Sequence, residues 1–192
     1  MSKNIPMKTY PTIGCCGLDC GLCPTYYTKG PSKCPGCCGP DFSNKHPSCS
    51  IIACCLKKNN FETCADCNDF LCSKLKDWNV IDSFICHRVS LKNLLSIKEK
   101  GIKEFIDQQL QRIKLLKILL EEFNEGRSKS FFCIATALLP IEYLEQSIKK
   151  ANEQIESEKI ESKNLKFKSK IIKQYLNNFA SKQNIILKLK RK

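Results

Sequence analysis

Histidine is scarce in this chain, with two in 192 residues, so the imidazole pairs that serve much acid–base and nucleophilic catalysis have no obvious source. No nucleophile–base pair stands out. Long apolar runs are missing as well: the longest uncharged one, Phe131 to Ile141, is about half of the roughly 20 residues a membrane span requires. Met1 to Gly14 carry Lys3 and Lys8 but no apolar core, which is not the pattern of a secretory signal. A cytoplasmic location is expected. Arginine is rare, at Arg88, Arg112, Arg127 and Arg191 among 32 basic residues, and arginine is the usual reader of guanine edges. Sequence-specific DNA recognition is therefore not supported. The length also excludes a (β/α)₈ barrel.

What the chain has in excess is cysteine and positive charge. Fifteen cysteines are enough to organise the fold, and the formal charge of +13 draws the molecule toward polyanions. The two features are separated. Thirteen cysteines fall between Cys15 and Cys72, whereas residues 91 to 192 hold only Cys133 and carry 22 basic against 12 acidic groups. This division predicts a cysteine-rich metal-binding domain over 1–90, a helical bundle over 91–160 and a basic helical tail over 161–192. The fold class expected is mainly α, with a small irregular, metal-stapled cysteine-rich domain packed against the bundle.

In a reducing cytosol, dense cysteine favours metal over disulfides. The candidate ligands are Cys16, Cys20, Cys23, Cys34, Cys37, Cys49, Cys54, Cys64, Cys67 and Cys72. Three C-x-x-C pairs lie among them, and a tight turn between two thiolates lets both face one ion. Pro35 and Gly36 suit such a turn, proline by its fixed φ and glycine by its tolerance of positive φ. Each adjacent pair, Cys15/Cys16, Cys37/Cys38 and Cys54/Cys55, is expected to diverge. Cys15, Cys38 and Cys55 are thus read as small buried or spare thiols. His46, just before Cys49, is a weaker candidate ligand, and His87 reads as a surface or packing residue in a helical stretch. Asp19, Asp66 and Asp69 read as solvated turn residues rather than general bases. From Pro31 to Ser50 glycine, proline and polar residues leave little for a conventional core, so metal binding is expected to supply folding energy.

The run Cys16-Gly17-Leu18-Asp19-Cys20-Gly21-Leu22-Cys23-Pro24, followed by Cys34-Pro35-Gly36-Cys37, Cys49-x₄-Cys54 and Cys64-x₂-Cys67-x₄-Cys72-Ser73-Lys74-Leu75, resembles the prokaryotic cysteine-rich domain-of-unknown-function family 3795. Segments around Asn93–Gln109 and Phe123–Cys133 resemble its longer members. The resemblance implies a zinc-binding cysteine cluster and supplies no activity. Ten thiolates suffice for about two closed tetrahedral zinc sites. Iron–sulfur clusters use the same ligands, so an iron–sulfur redox or sensor protein is the alternative. The Cys16-x₃-Cys20-x₂-Cys23 spacing is similar to the radical-SAM motif, but Leu22 stands where those enzymes have an aromatic residue. No alternation of strands and helices points to their barrel either.

Beyond the cysteines, Phe105, Ile106, Leu110, Ile113, Leu116, Leu120 and Phe123 recur at helical steps from Ile102. Gly126 is expected to end that helix. Further helices are expected near Val80–Ile97, from Ser130, after Pro140, and through the Leu165–Phe179 region. Gly126-Arg127-Ser128-Lys129-Ser130 has the composition of an anion loop, yet it reads more simply as helix caps. Cys133 reads as a buried thiol. The last thirty-one residues hold ten basic and no acidic groups, which fits non-specific, salt-sensitive nucleic-acid binding or a solvated basic face. The function expected is a binding or regulatory module, with a protein partner or non-specific nucleic acid as candidate partners.

Overall fold

The computed structural model describes residues 5–191. Among these residues the regular structure is helical, with no strand. Two short helices, α1 (Phe42–Lys45) and α2 (Ser50–Ile52), lie among the cysteines, and α2 runs on into a π-helical turn over Ala53–Lys58. Five longer helices follow: α3 (Ser90–Lys100), α4 (Ile102–Glu122), α5 (Lys129–Leu138), α6 (Ile141–Ser157) and α7 (Leu165–Lys182). The chain divides into two compact units, residues 1–109 with 189–192, and residues 110–188. The division falls within α4, later than the change in composition near residue 90.

In the first unit the core mixes sulfur and hydrocarbon. Ile13, Phe42, Ile51, Ile52, Leu56 and Leu75 pack with Cys15, Cys16, Cys37, Cys38 and Cys55, and Leu94, Ile97 and Phe105 of α3 and α4 join the same cluster. Those helical residues are what carry the unit past residue 90, because a segment poor in large apolar residues needs an outside apolar face to bury. The helix expected over Val80–Ile97 begins only at Ser90. Before it, the buried Asp82 carboxylate accepts the backbone N–H of His87 at 2.6 Å and of Lys190 at 2.8 Å. Backbone N–H groups held by a side chain are not free for a helical ladder. His87 is accordingly a buried packing residue outside any helix, 4.8 Å from the Trp78 ring, with its Nδ1 against Trp78 O and its Nε2 against Ser83 Oγ.

The second unit is a conventional bundle. Along α4, Ile113, Leu116, Leu119 and then Phe123 are buried at helical steps. Leu110, counted on that stripe from the sequence, is 53 % exposed. The apolar run around Phe131–Ile141 becomes α5, whose Phe132, Cys133, Ile134 and Ala135 are all buried. A helix apolar on most sides belongs at the centre of a bundle. Arg112 of α4 donates to Thr136 O at 2.6 Å and Leu139 O at 2.7 Å, which caps the C-terminal carbonyls of α5. Helices α6 and α7 pack together, with Tyr143 stacked on Phe179 at 4.8 Å. Among the described residues no helix is long and apolar enough to cross a membrane.

Candidate metal centre

Backbone turns set the cysteines in pairs. Cys20–Leu22 and Cys64–Asp66 are single 3₁₀ turns, each closed by the N–H of the second cysteine, Cys23 or Cys67, onto the carbonyl of the first at 3.2 Å. A capping box fixes the second turn: Thr63 N donates to Asp66 Oδ2 at 2.9 Å, and Ala65 N to Thr63 Oγ1. The Pro35-Gly36 turn has the geometry its sequence suggests. Gly36 lies at φ 85°, and a Cβ there would stand 2.3 Å from Pro11 O, a conformation and approach that only glycine permits.

All ten candidate cysteines line one of two cavities. A cavity of about 330 Å³ is lined by Cys16, Cys20, Cys23, Cys34, Cys37 and Cys49 together with Cys15, and a cavity of about 30 Å³ by Cys54, Cys64, Cys67 and Cys72 together with Cys55. The apolar part of the larger wall includes Phe42, Ile51, Ile52, Trp78 and Ile85. His46 stands at this cavity too, its ring stacked on Phe42 at 4.6 Å. The thiols line these spaces rather than closing on a point: among the described residues no group of three or more His, Cys, Asp or Glu side chains is arranged to hold a metal ion. None of the fifteen cysteines forms a disulfide.

A third gathering of sulfur lies beside these cavities and was not visible in the spacing. Cys15 and Cys38 are each 1 % exposed and Cys55 is 3 % exposed. The thiols of Cys37, Cys38 and Cys55 lie beside that of Cys15, and Cys55 lies beside Cys64. These contacts hold the Cys15 thiol well below its usual range and push Cys37, Cys38 and Cys55 above theirs. Of the two readings, buried or spare, burial holds for all three. The divergence of adjacent side chains fails at Cys37/Cys38, whose sulfurs are 3.9 Å apart. The reason is Cys38 itself, at φ 55° in the left-handed region, where the extended-chain alternation of side chains no longer applies. In the sequence, the doubled cysteines were the only trace of this cluster.

The Cys16–Cys20 loop is clamped from two helices. Asp19, read from the sequence as a solvated turn residue, is 5 % exposed. Its Oδ2 accepts from Asn93 Nδ2 of α3 at 3.0 Å, and its Oδ1 from Gln109 Nε2 of α4 at 2.5 Å. The same amide groups donate to Gly17 O and Thr12 O. Asp19 thus positions the loop; Asp66 and Asp69 are exposed. Lys8, 4 % exposed, donates to Ile13 O at 2.7 Å and lies 3.8 Å from Glu62. Burial pulls its ammonium toward neutrality, but the charges of Cys15, Cys37, Glu62 and Cys20 outweigh burial and raise it. Burial likewise pushes the thiols of Cys16, Cys20 and Cys23 up.

The anion-loop composition at 126–130 has an internal explanation. Asn124 Oδ1 accepts the N–H groups of Gly126 and Ser128 at 3.2 Å, and Glu125 Oε2 takes the hydroxyls of Ser128 at 2.5 Å and Ser169 at 2.7 Å. The chain's own carboxylate fills the place an anion would take. Cys133 is buried at 2 % exposure. No family model, curated protein or solved structure matches the chain.

Proposed function

We propose that residues 1–109 form a thiolate metal-binding module with two centres of unequal size, serving as a binding or regulatory module in the reducing cytoplasm. One observation carries the reading: the ten candidate cysteines divide six and four, in chain order, between a cavity of about 330 Å³, which Cys15 also borders, and one of about 30 Å³, which Cys55 also borders. The smaller space is that of about one water molecule, and four cysteines are what a closed tetrahedral zinc site takes. Cys54, Cys64, Cys67 and Cys72 are therefore the zinc ligands in this reading, their thiols turning inward as they lose protons.

The larger cavity suits a larger guest. Its volume favours an iron–sulfur cluster held by four of Cys16, Cys20, Cys23, Cys34, Cys37 and Cys49 over a second single zinc ion. Such a cluster supplies electron storage at a potential set by its surroundings. The surrounding residues act on it in definite ways. Asn93 and Gln109 hold the Cys16–Cys20 loop through Asp19, Lys8 places a positive charge beside the thiolates, and the wall of Phe42, Ile51, Ile52 and Trp78 limits water. The likeness of the Cys16–Cys72 run to the cysteine-rich family belongs to the same proposal, as do a protein partner and non-specific nucleic acid.

Reciprocal variants test the two-centre reading. Cys20→Ser should discharge the large-cavity centre and leave the small one filled, and Cys67→Ser should do the reverse. Loss of both metals from either variant, or of neither from both, would contradict the division.

A further inference from the structure

The doubled cysteines supply sulfur beyond the ten ligands that the two-centre reading uses, with Cys15 at the border of the larger cavity and Cys55 at that of the smaller. Cys15, Cys38 and Cys55 come from three separate segments and meet in the core, with Cys37 on one side and Cys64 on the other. A thiol required only as a small apolar filler does not need a left-handed backbone, yet Cys38 holds φ 55°. Glycine is the residue that takes this conformation without strain. The strained turn has a consequence: it brings Cys38 Sγ to 3.9 Å from Cys37 Sγ. Sulfurs bound to one zinc at about 2.3 Å in a tetrahedron stand about 3.8 Å apart.

Charge gives an independent argument. Lys8 is buried with its ammonium 3.8 Å from Glu62 as its one carboxylate partner given by the structure. That carboxylate is already shared with the N–H groups of Thr9 and Tyr10 at 3.2 and 2.7 Å. A buried ammonium calls for negative charge nearby, and besides Glu62 it is the sulfurs of Cys15, Cys37 and Cys20 that can supply it. A tetrathiolate around a divalent ion carries two negative charges, one of which Lys8 offsets.

We propose that Cys15, Cys38 and Cys55 are the private ligands of a further thiophilic divalent ion, completed by Cys37 or Cys64 as a thiolate shared with a neighbouring centre. Binding replaces the S–H···S contacts with metal–sulfur bonds, each thiol giving its proton to solvent and the sulfurs turning to face the ion. The proposal rests on the metal-binding reading above and adds to its ligand set. It also gives a use to the member of each doubled pair that the ten-ligand set leaves over.

Two experiments decide it. Cys38→Gly suits the local backbone, so a filler role predicts unchanged metal content. The proposal predicts one ion fewer per chain by native mass spectrometry. The second experiment needs no variant: in the full chain loaded with cadmium-113, a cadmium–proton correlation spectrum should connect a single cadmium to the β-protons of Cys15, Cys38 and Cys55. Cadmium couplings confined to other cysteines would overturn the proposal and leave the two-centre reading standing. A chain that takes up no metal would overturn both.

Discussion

Glu125 offers a worked test of the electrostatics in the bundle. Partial burial pushes its carboxyl up, but hydrogen bonds from Ser128, Ser169 and the Lys173 ammonium prevail and bring it from an ordinary 4.5 to about 2. At about 1.36 kcal/mol per tenfold change in proton affinity, that fall bounds the contribution at roughly 3 kcal/mol. Glu125 and Lys173 keep 20 % and 32 % of their side-chain surface in solvent, so screening reduces the effect to about 1–2 kcal/mol. Glu125→Gln removes the charge and one good acceptor, while Ser128 and Ser169 remain 3.1 Å apart and can satisfy each other in part. For a chain of this length the expected loss in Tm at neutral pH is about 2–8 °C. The sign with pH follows from the depressed value. The contribution is present above about 4.5, where the unfolded chain is also ionised, and it disappears as pH falls toward about 2. Thermal melts of both proteins, followed by circular dichroism from pH 7 to pH 2, should converge at the acid end. Equal stability at pH 7, or a gap that persists undiminished at pH 2, would refute the reasoning.

Other consequences concern the first unit and the basic helix. Gly17 lies at φ 81° and a Cβ there would stand 2.1 Å from Ser90 O, so Gly17→Ala should cost more than about 3 kcal/mol or prevent soluble expression; near wild-type urea unfolding would contradict this. Gln109→Leu strands one oxygen of the buried Asp19 and frees Thr12 O, which should cost about 1–3 kcal/mol and speed metal loss to a competing chelator. An unchanged chelation rate would remove Asp19 and Gln109 from the site's support. Helix α7 buries Ile171, Ile172, Leu176 and Phe179, and Lys166, Lys170 and Lys182 stay exposed. Their replacement by glutamine should weaken any low-salt retardation of duplex DNA or RNA and lower its salt dependence. Retardation that ignores these lysines would place the nucleic-acid surface elsewhere.

The helices of the bundle were legible in the sequence because their periodicity is their packing. Ile113, Leu116 and Phe123 repeat at three- and four-residue steps, and Pro140 and Asn164 sit where α6 and α7 begin. The stretch from Val80 to Val89 misled for a complementary reason. Val80, Ile81, Phe84 and Ile85 have helical spacing, but the buried Asp82 carboxylate takes the His87 N–H and the Asp82 N–H goes to Lys190 O, so neither joins a helical ladder. The ten cysteines picked out by spacing all border a cavity, since C-x-x-C turns are local, but Cys15 and Cys55 border the same cavities. Asp19 looked like a surface turn because its partners, Asn93 and Gln109, are more than seventy residues away. The cluster at Cys15, Cys38 and Cys55 was hidden for two reasons: its contacts are tertiary, and one left-handed residue reverses the usual rule for neighbouring side chains.

The central claim is that thiolate-bound metal occupies the cysteine module in centres of two sizes. Elemental analysis, acid-labile sulfide determination and a visible absorption spectrum on protein purified without oxygen test it most directly. The account predicts zinc together with iron and sulfide, and a brown protein whose colour bleaches on reduction. Protein that is colourless and free of zinc and iron, with all fifteen thiols titrating freely, would contradict it.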